Sequence, residues 1–224
     1  MGFIADAKWL VWNIRRTSLF GHEPENSFYW NDAPKVDIDS IVEHLSDPNQ
    51  SERRAIRAIL QERGIKSILD AGCGPATEFV GFQEAGLDVD YIGLDRSGYM
   101  LHKAKERSPE AIFCQGSIER IPFSDNSFDA VLLKHVLEHL PDYRLAVREA
   151  VRVAREIVVI NFFHRPLPFV PFDLQLWQRR GFYENWYSQP RLERFLNSLP
   201  ISTYSRETTE GTIGNTAVIY VLEK

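Results

Sequence analysis

Apolar residues follow two different spacings along the chain, and the change comes near residue 65. Before that point they recur at helical spacing, as at Ala55, Ile56, Ile59 and Leu60. From there onward, short runs rich in Val, Ile and Leu alternate with amphipathic stretches. The strands predicted from these runs are Ser67–Asp70, Val89–Asp95, Ala111–Gln115, Phe128–Leu133, Ile157–Phe162, Ile201–Ser205 and Ala217–Leu222.

Helices are predicted between several of these strands, over Ala76–Ala85, Gly98–Arg107 and Asp142–Ala154. Short apolar strands separated by amphipathic helices are typical of a parallel sheet that is covered on both faces. The pattern therefore predicts an α/β fold with a doubly wound, mostly parallel sheet in residues 65–224. Residues 1–64 are predicted to form an N-terminal helical extension or cap.

The composition narrows the classes of protein and partner. The 224 residues are 44% hydrophobic and 25% charged, which suits one globular domain with an additional segment. A net charge of −5 gives no overall field that would concentrate nucleic acid, and no apolar run approaches the ~20 residues that span a bilayer. Cys73 and Cys114 have no metal-type spacing and make no disulfide framework. We therefore expect a cytoplasmic protein, monomeric or homodimeric, without a nucleic-acid or membrane partner.

The clearest chemical signal follows the first predicted strand, where Ile68–Thr77 reads Ile-Leu-Asp-Ala-Gly-Cys-Gly-Pro-Ala-Thr. Glycines at alternate positions allow a tight turn and a close approach of the backbone to a ligand, and the next helix offers unpaired N–H groups. The second predicted strand ends in Asp95, 23 positions after Gly72. An acidic residue about 20 positions on is where a ribose diol is held, so the two strand ends predict a nucleoside site.

This nucleoside is predicted to lack phosphates. A dinucleotide fingerprint requires a third glycine at the position where this chain has Thr77, and the turn has no P-loop lysine. The site is therefore expected to bind an adenosine group without phosphates.

Five ordered blocks of sequence resemble the class I S-adenosylmethionine-dependent methyltransferases of the small-molecule type. Two are the glycine turn and the strand Tyr91–Asp95. The others read Gly-Ser-Ile-Glu-Arg-Ile-Pro-Phe at Gly116–Phe123, Asn-Ser-Phe-Asp-Ala-Val at Asn126–Val131 and His-Val-Leu-Glu-His-Leu at His135–Leu140. The resemblance implies a Rossmann-like, seven-stranded sheet whose last strand runs antiparallel. It also implies S-adenosyl-L-methionine as the cofactor and S-adenosyl-L-homocysteine as its product.

The resemblance further implies which residues hold the cofactor. Asp70, Gly72 and Gly74 would line its methionine end. Asp95 would receive the ribose hydroxyls, and Arg96 would flank the adenine.

Three more residues complete this implied set. Ser117 and Ile118 would meet the edge and the face of the adenine, and Lys134 would lie near the sulfonium. Two positions depart from the family pattern. Ala76 stands where many members have glycine, and Ser117 replaces a frequent Asp. The usual Pro-Gly-Gly turn before the fifth strand is replaced by Arg152–Glu156.

Two histidines are candidates for the chemical step. Methyl transfer needs a nucleophile aligned with the methyl group, and a base where that nucleophile carries a proton. His135 follows the fourth predicted strand and His164 the fifth, at the sheet edge where ligands bind. We predict His135 or His164 as the general base. A helix that begins at His135 would place Glu138 and His139 on the same helical face as His135.

Two alternatives remain open for this group of side chains. A divalent metal could be bound by all four, because imidazole and carboxylate ligands suit Zn, Fe, Mn or Co; they are His135, Glu138, His139 and His164. The block also resembles that of metal-binding methyltransferases, although His135 replaces their first Glu. Alternatively, Glu138 and His139 could simply cap and pack the loop.

Aromatic residues outside the shared core are expected to form the acceptor site. The predicted residues are Tyr29, Trp30, Phe163, Trp177 and Tyr183. The last three belong to residues 163–187, which we interpret as a substrate-covering insertion. Aromatic rings suit a flat or apolar acceptor and also a cationic amine, while ordinary packing on the sheet edge is the alternative.

The leading hypothesis is a methyltransferase that acts on an O or N atom of a small acceptor of aromatic or apolar character. A module that binds the cofactor without turnover is an alternative from another class. An enzyme that modifies RNA or protein is a third, and an open, basic or flat site mouth would favour it.

Overall fold

The computed structural model describes residues 30, 39–40, 42–43, 46–175, 177–178, 182–211 and 216–224. Most of the extension predicted for residues 1–64, including Tyr29, lies outside this description. No helix within the described ranges combines the length and the apolar character needed to cross a membrane.

The helices and strands of this part of the chain alternate from residue 51 onward. The helices are α1 (Ser51–Glu62), α2 (Thr77–Glu84), α3 (Gly98–Arg107), α4 (Arg144–Val153) and α5 (Gln189–Leu196). The strands are β1 (Ser67–Ala71), β2 (Asp90–Asp95), β3 (Ile112–Gln115), β4 (Phe128–Lys134), β5 (Ala154–Phe162), β6 (Trp177–Gln178), β7 (Phe182–Tyr183), β8 (Thr203–Glu210) and β9 (Thr216–Glu223).

Seven of these strands form one sheet in the order β3-β2-β1-β4-β5-β9-β8. Strands β1 to β5 pair in parallel, with Leu69 opposite both Ile92 of β2 and Val131 of β4. Strand β9 is antiparallel to both β5 and β8. The predicted doubly wound, mostly parallel fold with an antiparallel last strand is thereby confirmed. The winding reverses between β1 and β4, and ligands of such sheets bind at this point.

Alternate residues of the strands face opposite layers of helices. On one face, Val131 belongs to a buried cluster with Val147 of α4 and Leu192 of α5. On the other face, Leu132 belongs to a cluster with Leu60 of α1. Helix α1 therefore contributes to the core of the sheet, although it precedes residue 65.

Two strands differ from their predicted bounds. Strand β5 begins at Ala154 rather than Ile157, because helix α4 passes directly into it, so no Pro-Gly-Gly turn separates them. Edge strand β8 begins at Thr203 and continues to Glu210, beyond the predicted Ser205. Its residues are mostly exposed and carry no clear apolar alternation, but they pair with β9 along their whole length.

The helix predicted to open at His135 is wrong. Leu137–His139 instead form one 3-10 turn, and α4 begins only at Arg144. Pro141 explains the interruption, because proline has no backbone N–H to continue a helical hydrogen-bond ladder.

Candidate active site

The turn between β1 and α2 is built from left-handed backbone conformations. The φ angles of Gly72, Gly74 and Ala76 are +87°, +51° and +58°. The N–H groups of Gly72 and Cys73 both donate to the carbonyl of Leu94, at 2.7 and 3.1 Å. These hydrogen bonds tie the turn to β2. Ala76 keeps the left-handed conformation although it carries a side chain.

Asp95 ends β2 beside this turn. Its Oδ2 accepts from the N–H of Gly74 at 2.9 Å, and its Oδ1 accepts from the N–H of Ser97 at 2.8 Å. Burial raises the pKa of Asp95 above its usual value, and the backbone N–H groups oppose that increase. The carboxylate is thus held between the glycine turn and the start of α3.

The turn and Asp95 border a cavity at the carboxyl ends of β1, β2 and β4. Ligands of open α/β sheets bind at this edge of the sheet. All the predicted cofactor residues line the cavity, namely Asp70, Gly72, Gly74, Asp95, Arg96, Ser117, Ile118 and Lys134.

The part of the cavity nearest β3 combines apolar and polar groups. Ile118 is buried and Ser117 exposed, and Met100 of α3 adds an apolar side chain to the lining. The carbonyl of Arg96 accepts from Gln115 Nε2 at 3.0 Å, which joins the ends of β2 and β3. An apolar surface with polar edges of this kind fits a flat heterocycle.

Charged side chains that are almost entirely buried lie where the cavity meets α1 and β4. Arg53 of α1 forms an ion pair with Glu78 of α2. The Nζ of Lys134 lies 4.0 Å from Glu78 Oε1 and 3.7 Å from the Oε1 of Glu52. Buried charges persist only when they are paired in this way.

Burial shifts the pKa values of two of these groups. Burial, together with the charge of Glu78, raises the pKa of Asp70 to about 7. The Tyr91 hydroxyl, which donates to Asp70 at 2.8 Å, opposes this increase. Burial, together with the charge of Arg53, lowers the pKa of Lys134 to about 7. Both groups therefore change charge near neutral pH, which is a property of many functional sites.

His135 follows β4 directly and lines the cavity. Its φ is +51°, and its N–H donates to the carbonyl of Asn161 at 2.9 Å. The Nζ of Lys134 lies 3.0 Å from the Nδ1 and 3.2 Å from the Nε2 of His135. Burial and the charge of Lys134 hold the pKa of His135 well below its usual value. The imidazole is therefore neutral at pH 7 and able to accept a proton.

His164 has different surroundings from His135. The Nε2–H of His164 donates to Glu184 at 3.0 Å, and its ring stacks on Trp186 with centroids 4.4 Å apart. It is not among the described residues that line the cavity. Of the two predicted bases, His135 lines the cavity, whereas His164 is not among the described lining residues.

Glu138 and His139 lie on the 3-10 turn. The Glu138 carboxylate accepts from the N–H of Phe163 and from that of His164, which joins the turn to the end of β5. The Nδ1–H of His139 donates to the Tyr183 carbonyl at 2.7 Å. Among the residues that the structure describes, no three His, Cys, Asp or Glu side chains are arranged to hold a metal. The metal-binding alternative therefore gains no support here.

Trp30 lies at the cavity as predicted for an acceptor-site residue. Its ring is 5.0 Å from that of His139 and 5.6 Å from that of Phe182. The His139 and Phe182 rings are themselves 5.7 Å apart. These three rings form an aromatic group beside the cavity.

The other predicted acceptor-site residues are placed differently. The Phe163 ring packs edge-on against His135 at 5.3 Å between centroids. Neither Phe163 nor Tyr183 is among the described residues that line the cavity. Tyr29 and the side chain of Trp177 lie outside the description.

Sequence reasoning missed three charged residues of the site, Glu52, Arg53 and Glu78. Glu52 and Arg53 open an amphipathic helix, where charges ordinarily face water, and no local pattern shows that both are buried or that Arg53 lines the cavity. Glu78 carried a usable signal, because the first turn of the helix after the glycine turn borders the site.

Residues 69–159 match the family model described as a methyltransferase domain. This segment is a methyltransferase domain. The methyltransferase domain begins in β1 and ends in β5, so it contains the glycine turn, Asp95 and His135. Helix α1 precedes the matched range.

Curated relatives of the chain include named methyltransferases. The demethylmenaquinone methyltransferase of Renibacterium salmoninarum is 33% identical over 155 residues, which cover 67% of this chain and 64% of the relative. The phthiotriol/phenolphthiotriol dimycocerosates methyltransferase of Mycobacterium tuberculosis is 28% identical over 151 residues, which cover 66% of this chain and 56% of the relative. The chain thus spans about three fifths of the length of these relatives.

Solved structures share the fold of the methyltransferase domain and its flanks. One is the 1,6-didemethyltoxoflavin-N1-methyltransferase of Burkholderia thailandensis, with bound 1,6-didemethyltoxoflavin and S-adenosylhomocysteine. It superposes with a TM-score of 0.61 at 16% identity and covers 86% of this chain and 92% of that one. At this identity the likeness concerns the fold.

Proposed function

We propose that this protein transfers a methyl group from S-adenosyl-L-methionine to an O or N atom of a small, aromatic or apolar acceptor. The observation that carries the proposal is the cavity that unites the glycine turn, Asp95 and His135. A cofactor site and a proton acceptor within one cavity are what such a transfer requires. The match of residues 69–159 and the named relatives support the same reaction.

The residues of the cavity fit this cofactor. A Cβ at Gly74 would meet nothing within 4 Å, so the turn leaves an open cradle for a ligand. The buried carboxylates of Asp70 and Glu78 suit a ligand that carries positive charge. When bound, the cofactor supplies an electrophilic methyl group on a positively charged sulfur. We assign its binding to Asp70, Gly72, Gly74, Asp95, Arg96, Ser117, Ile118 and Lys134.

His135 is the proposed general base. Its neutral imidazole takes the proton of the acceptor O–H or N–H while the new bond to the methyl group forms. The methyl group would come from the bound cofactor, whose sulfur would keep the electron pair of the broken bond, and the proton leaves through the imidazole. The strained φ of +51° fixes the ring at the end of β4, which favours a defined distance to the acceptor.

The acceptor is proposed to lie against the aromatic group of Trp30, His139 and Phe182. The rings offer a flat apolar surface, and the His139 imidazole is fixed by its hydrogen bond to Tyr183. Residues 163–187 remain our proposed cover of this site. The relatives are named as enzymes that act on small molecules, which supports an acceptor of this class.

The test of this function is methyl transfer from labelled S-adenosyl-L-methionine to a panel of small phenols, hydroquinones and amines, with RNA and protein acceptors in parallel. With an acceptor found, we expect His135→Gln to lower kcat by about 10²- to 10⁴-fold, the usual contribution of a general base. Affinity for S-adenosyl-L-homocysteine should change little, because the change leaves Asp95 and the glycine turn intact.

Two further histidine variants serve as controls. His102→Gln changes an exposed histidine of α3 whose Nε2 lies 3.3 Å from Glu106, and its kcat should equal that of the wild type. His164→Gln should reduce kcat far less than His135→Gln. A larger loss in His164→Gln would transfer the base role to that residue. Cofactor binding without any transfer would indicate a binding module, and transfer to RNA or protein alone would replace the small-molecule proposal.

A further inference from the structure

Glu52 is a buried carboxylate that reaches the site from outside the matched methyltransferase domain. Glu52 lies in the first turn of α1 and is fully buried. Its Oε1 is 3.7 Å from the Nε2 of His135 and 3.7 Å from the Nζ of Lys134. Among the described residues, Glu52 is the carboxylate that makes an ion-pair contact with the His135 ring.

We propose that Glu52 is a positioning residue for His135. Its carboxylate holds the imidazole with the proton on Nε2 and stabilises the positive charge that forms when the ring accepts a second proton at Nδ1. The inference rests on the proposed function of His135 as the base. It makes α1 a necessary part of the active site.

The surroundings of the ring favour this arrangement of protons. Lys134 Nζ lies 3.0 Å from Nδ1 and 3.2 Å from Nε2, so its position does not distinguish the two ring nitrogens. The carboxylate oxygen of Glu52 near Nε2 can only accept, and it therefore favours the tautomer with the proton on Nε2. The contact of 3.7 Å exceeds a hydrogen bond, but catalytic hydrogen bonds are commonly long in unliganded structures and shorten with substrate bound.

Charge balance supplies the second reason. An imidazolium next to the ammonium of Lys134 would place two positive charges about 3 Å apart in a buried site, which is strongly unfavourable without a nearby carboxylate. Lys134 becomes neutral as the pH rises through about 7, and this frees Nδ1 to accept the proton. The charged and titratable groups that influence the ring are Glu52, Arg53, Lys134, His139 and His164, and those that influence Lys134 are Glu52, Arg53, Asp70 and Glu78.

Glu78 allows the positioning role to be separated from general electrostatics. Like Glu52, it is buried and its carboxylate lies within 4.0 Å of Lys134 Nζ. The structure shows no ion-pair contact between Glu78 and His135 within the described residues. Removing either charge perturbs Lys134, whereas removing that of Glu52 also changes the partner of Nε2.

The experiment uses the full chain labelled with ¹⁵N in the histidine rings, and compares wild type, Glu52→Gln and Glu78→Gln above pH 7. We expect wild type and Glu78→Gln to hold His135 mainly as the Nε2–H tautomer. In Glu52→Gln the ratio of the two tautomers should fall roughly fivefold, since a hydrogen bond to a charged acceptor is about 1 kcal/mol stronger than one to an amide. Equal ratios in Glu52→Gln and Glu78→Gln would overturn the proposal.

Two additions keep the test decisive. Glu52→Asp retains the charge, so it should recover part of the wild-type tautomer ratio, and it replaces Glu52→Gln if that variant does not fold. With an acceptor in hand, Glu52→Gln should lower kcat with little change in KM, and its pH profile should differ from that of Glu78→Gln. The NMR measurement needs no acceptor. Failure of the tautomer result thus refutes the role of Glu52, while failure of His135→Gln to lower kcat refutes the proposed function.

Discussion

At the scale of single residues, left-handed backbone conformations gather around the cavity. Gly72, Gly74, Ala76 and His135 all have positive φ angles and all lie at the carboxyl ends of β1 and β4. For Ala76 and His135 this conformation costs of order 1–3 kcal/mol each, because a Cβ crowds the backbone there. Such strain persists only where the surrounding structure holds the backbone in place. Here the strained residues belong to the glycine turn and to the proposed base.

Gly72 gives a prediction at this scale. A Cβ at Gly72 would lie 2.5 Å from the Cγ2 of Val136 and would also occupy a φ of +87°. Gly72→Ala should therefore lower the free energy of unfolding by about 2–4 kcal/mol, from crowding together with backbone strain. Urea denaturation monitored by circular dichroism measures this loss.

Gly86→Ala is the matched control for Gly72→Ala. Gly86 also has a positive φ, +66°, but a Cβ there would meet nothing within 4 Å. Its substitution should cost about 1–2 kcal/mol, from backbone strain alone. In addition, Gly72→Ala combined with Val136→Ala should lose less stability than the sum of the two single changes. Additive losses would show that Val136 is not the residue that excludes a side chain at Gly72.

The turn and the strand end that border the cavity could be predicted because backbone demands are visible in sequence. Gly72 and Gly74 mark a turn, and Asp95 marks the end of a strand at a fixed distance from it. Glu52 and Arg53 could not be found in this way. Their role depends on how α1 packs on the sheet, and the sequence of an amphipathic helix does not specify which charged residues turn inward.

At the scale of elements, the 3-10 turn after β4 is fastened to neighbouring segments by buried polar groups. Glu138 accepts from the N–H groups of Phe163 and His164 at the end of β5. Its own carbonyl accepts from the N–H of Asn185 at 2.9 Å, and the Tyr187 hydroxyl donates to the Leu137 carbonyl at 2.6 Å. The 3-10 turn therefore connects the cavity to the proposed cover, residues 163–187.

The Glu138 carboxyl predicts a pH dependence of stability. Burial raises its pKa to about 7 in the folded protein, against a usual value near 4.5. A raised folded pKa means that its protonated form stabilises the fold at low pH, and that this contribution is lost as the pH rises through about 7. Glu138→Gln keeps the acceptor oxygen and does not titrate. Its stability relative to wild type should therefore increase by up to about 3 kcal/mol between pH 5 and pH 8.

Urea unfolding of wild type and Glu138→Gln at both pH values measures that difference. Comparing the two proteins removes the contributions of Asp70 and Lys134, which titrate in the same range and are present in both. A difference that stays constant from pH 5 to pH 8 would contradict the account of Glu138 as a buried carboxyl with a raised pKa.

At this scale the sequence predicted the parallel strands and α3 well, because short apolar runs and a helix with Ser97 as its cap are local signals. It failed for the segment after His135. The order His-x-x-Glu-His has helical spacing, yet Pro141 limits the helix, and Glu138 and His139 find partners in distant segments. Tertiary hydrogen bonds of this kind leave no pattern in the local sequence.

At the scale of the whole molecule, the site lies where the winding of the sheet reverses between β1 and β4. Its walls come from the methyltransferase domain, from Arg53 of α1 and from Trp30. The fold could be predicted because the alternation of strands and helices, together with five ordered motifs, determines the topology. Trp30 was also predicted to lie at the site, but its contact with Phe182 could not be predicted, because the two rings meet only through the tertiary fold.

The central claim is that the cavity binds the adenosine of S-adenosyl-L-methionine through Asp95, and calorimetry with S-adenosyl-L-homocysteine tests it most directly. We predict one binding site per chain. Asp95→Ala should weaken binding by roughly 10- to 100-fold, the loss expected when hydrogen bonds to a charged acceptor are removed. Asp90→Ala, an exposed acid at the other end of β2, should bind as the wild type does. No binding, or binding unchanged in Asp95→Ala, would contradict the account.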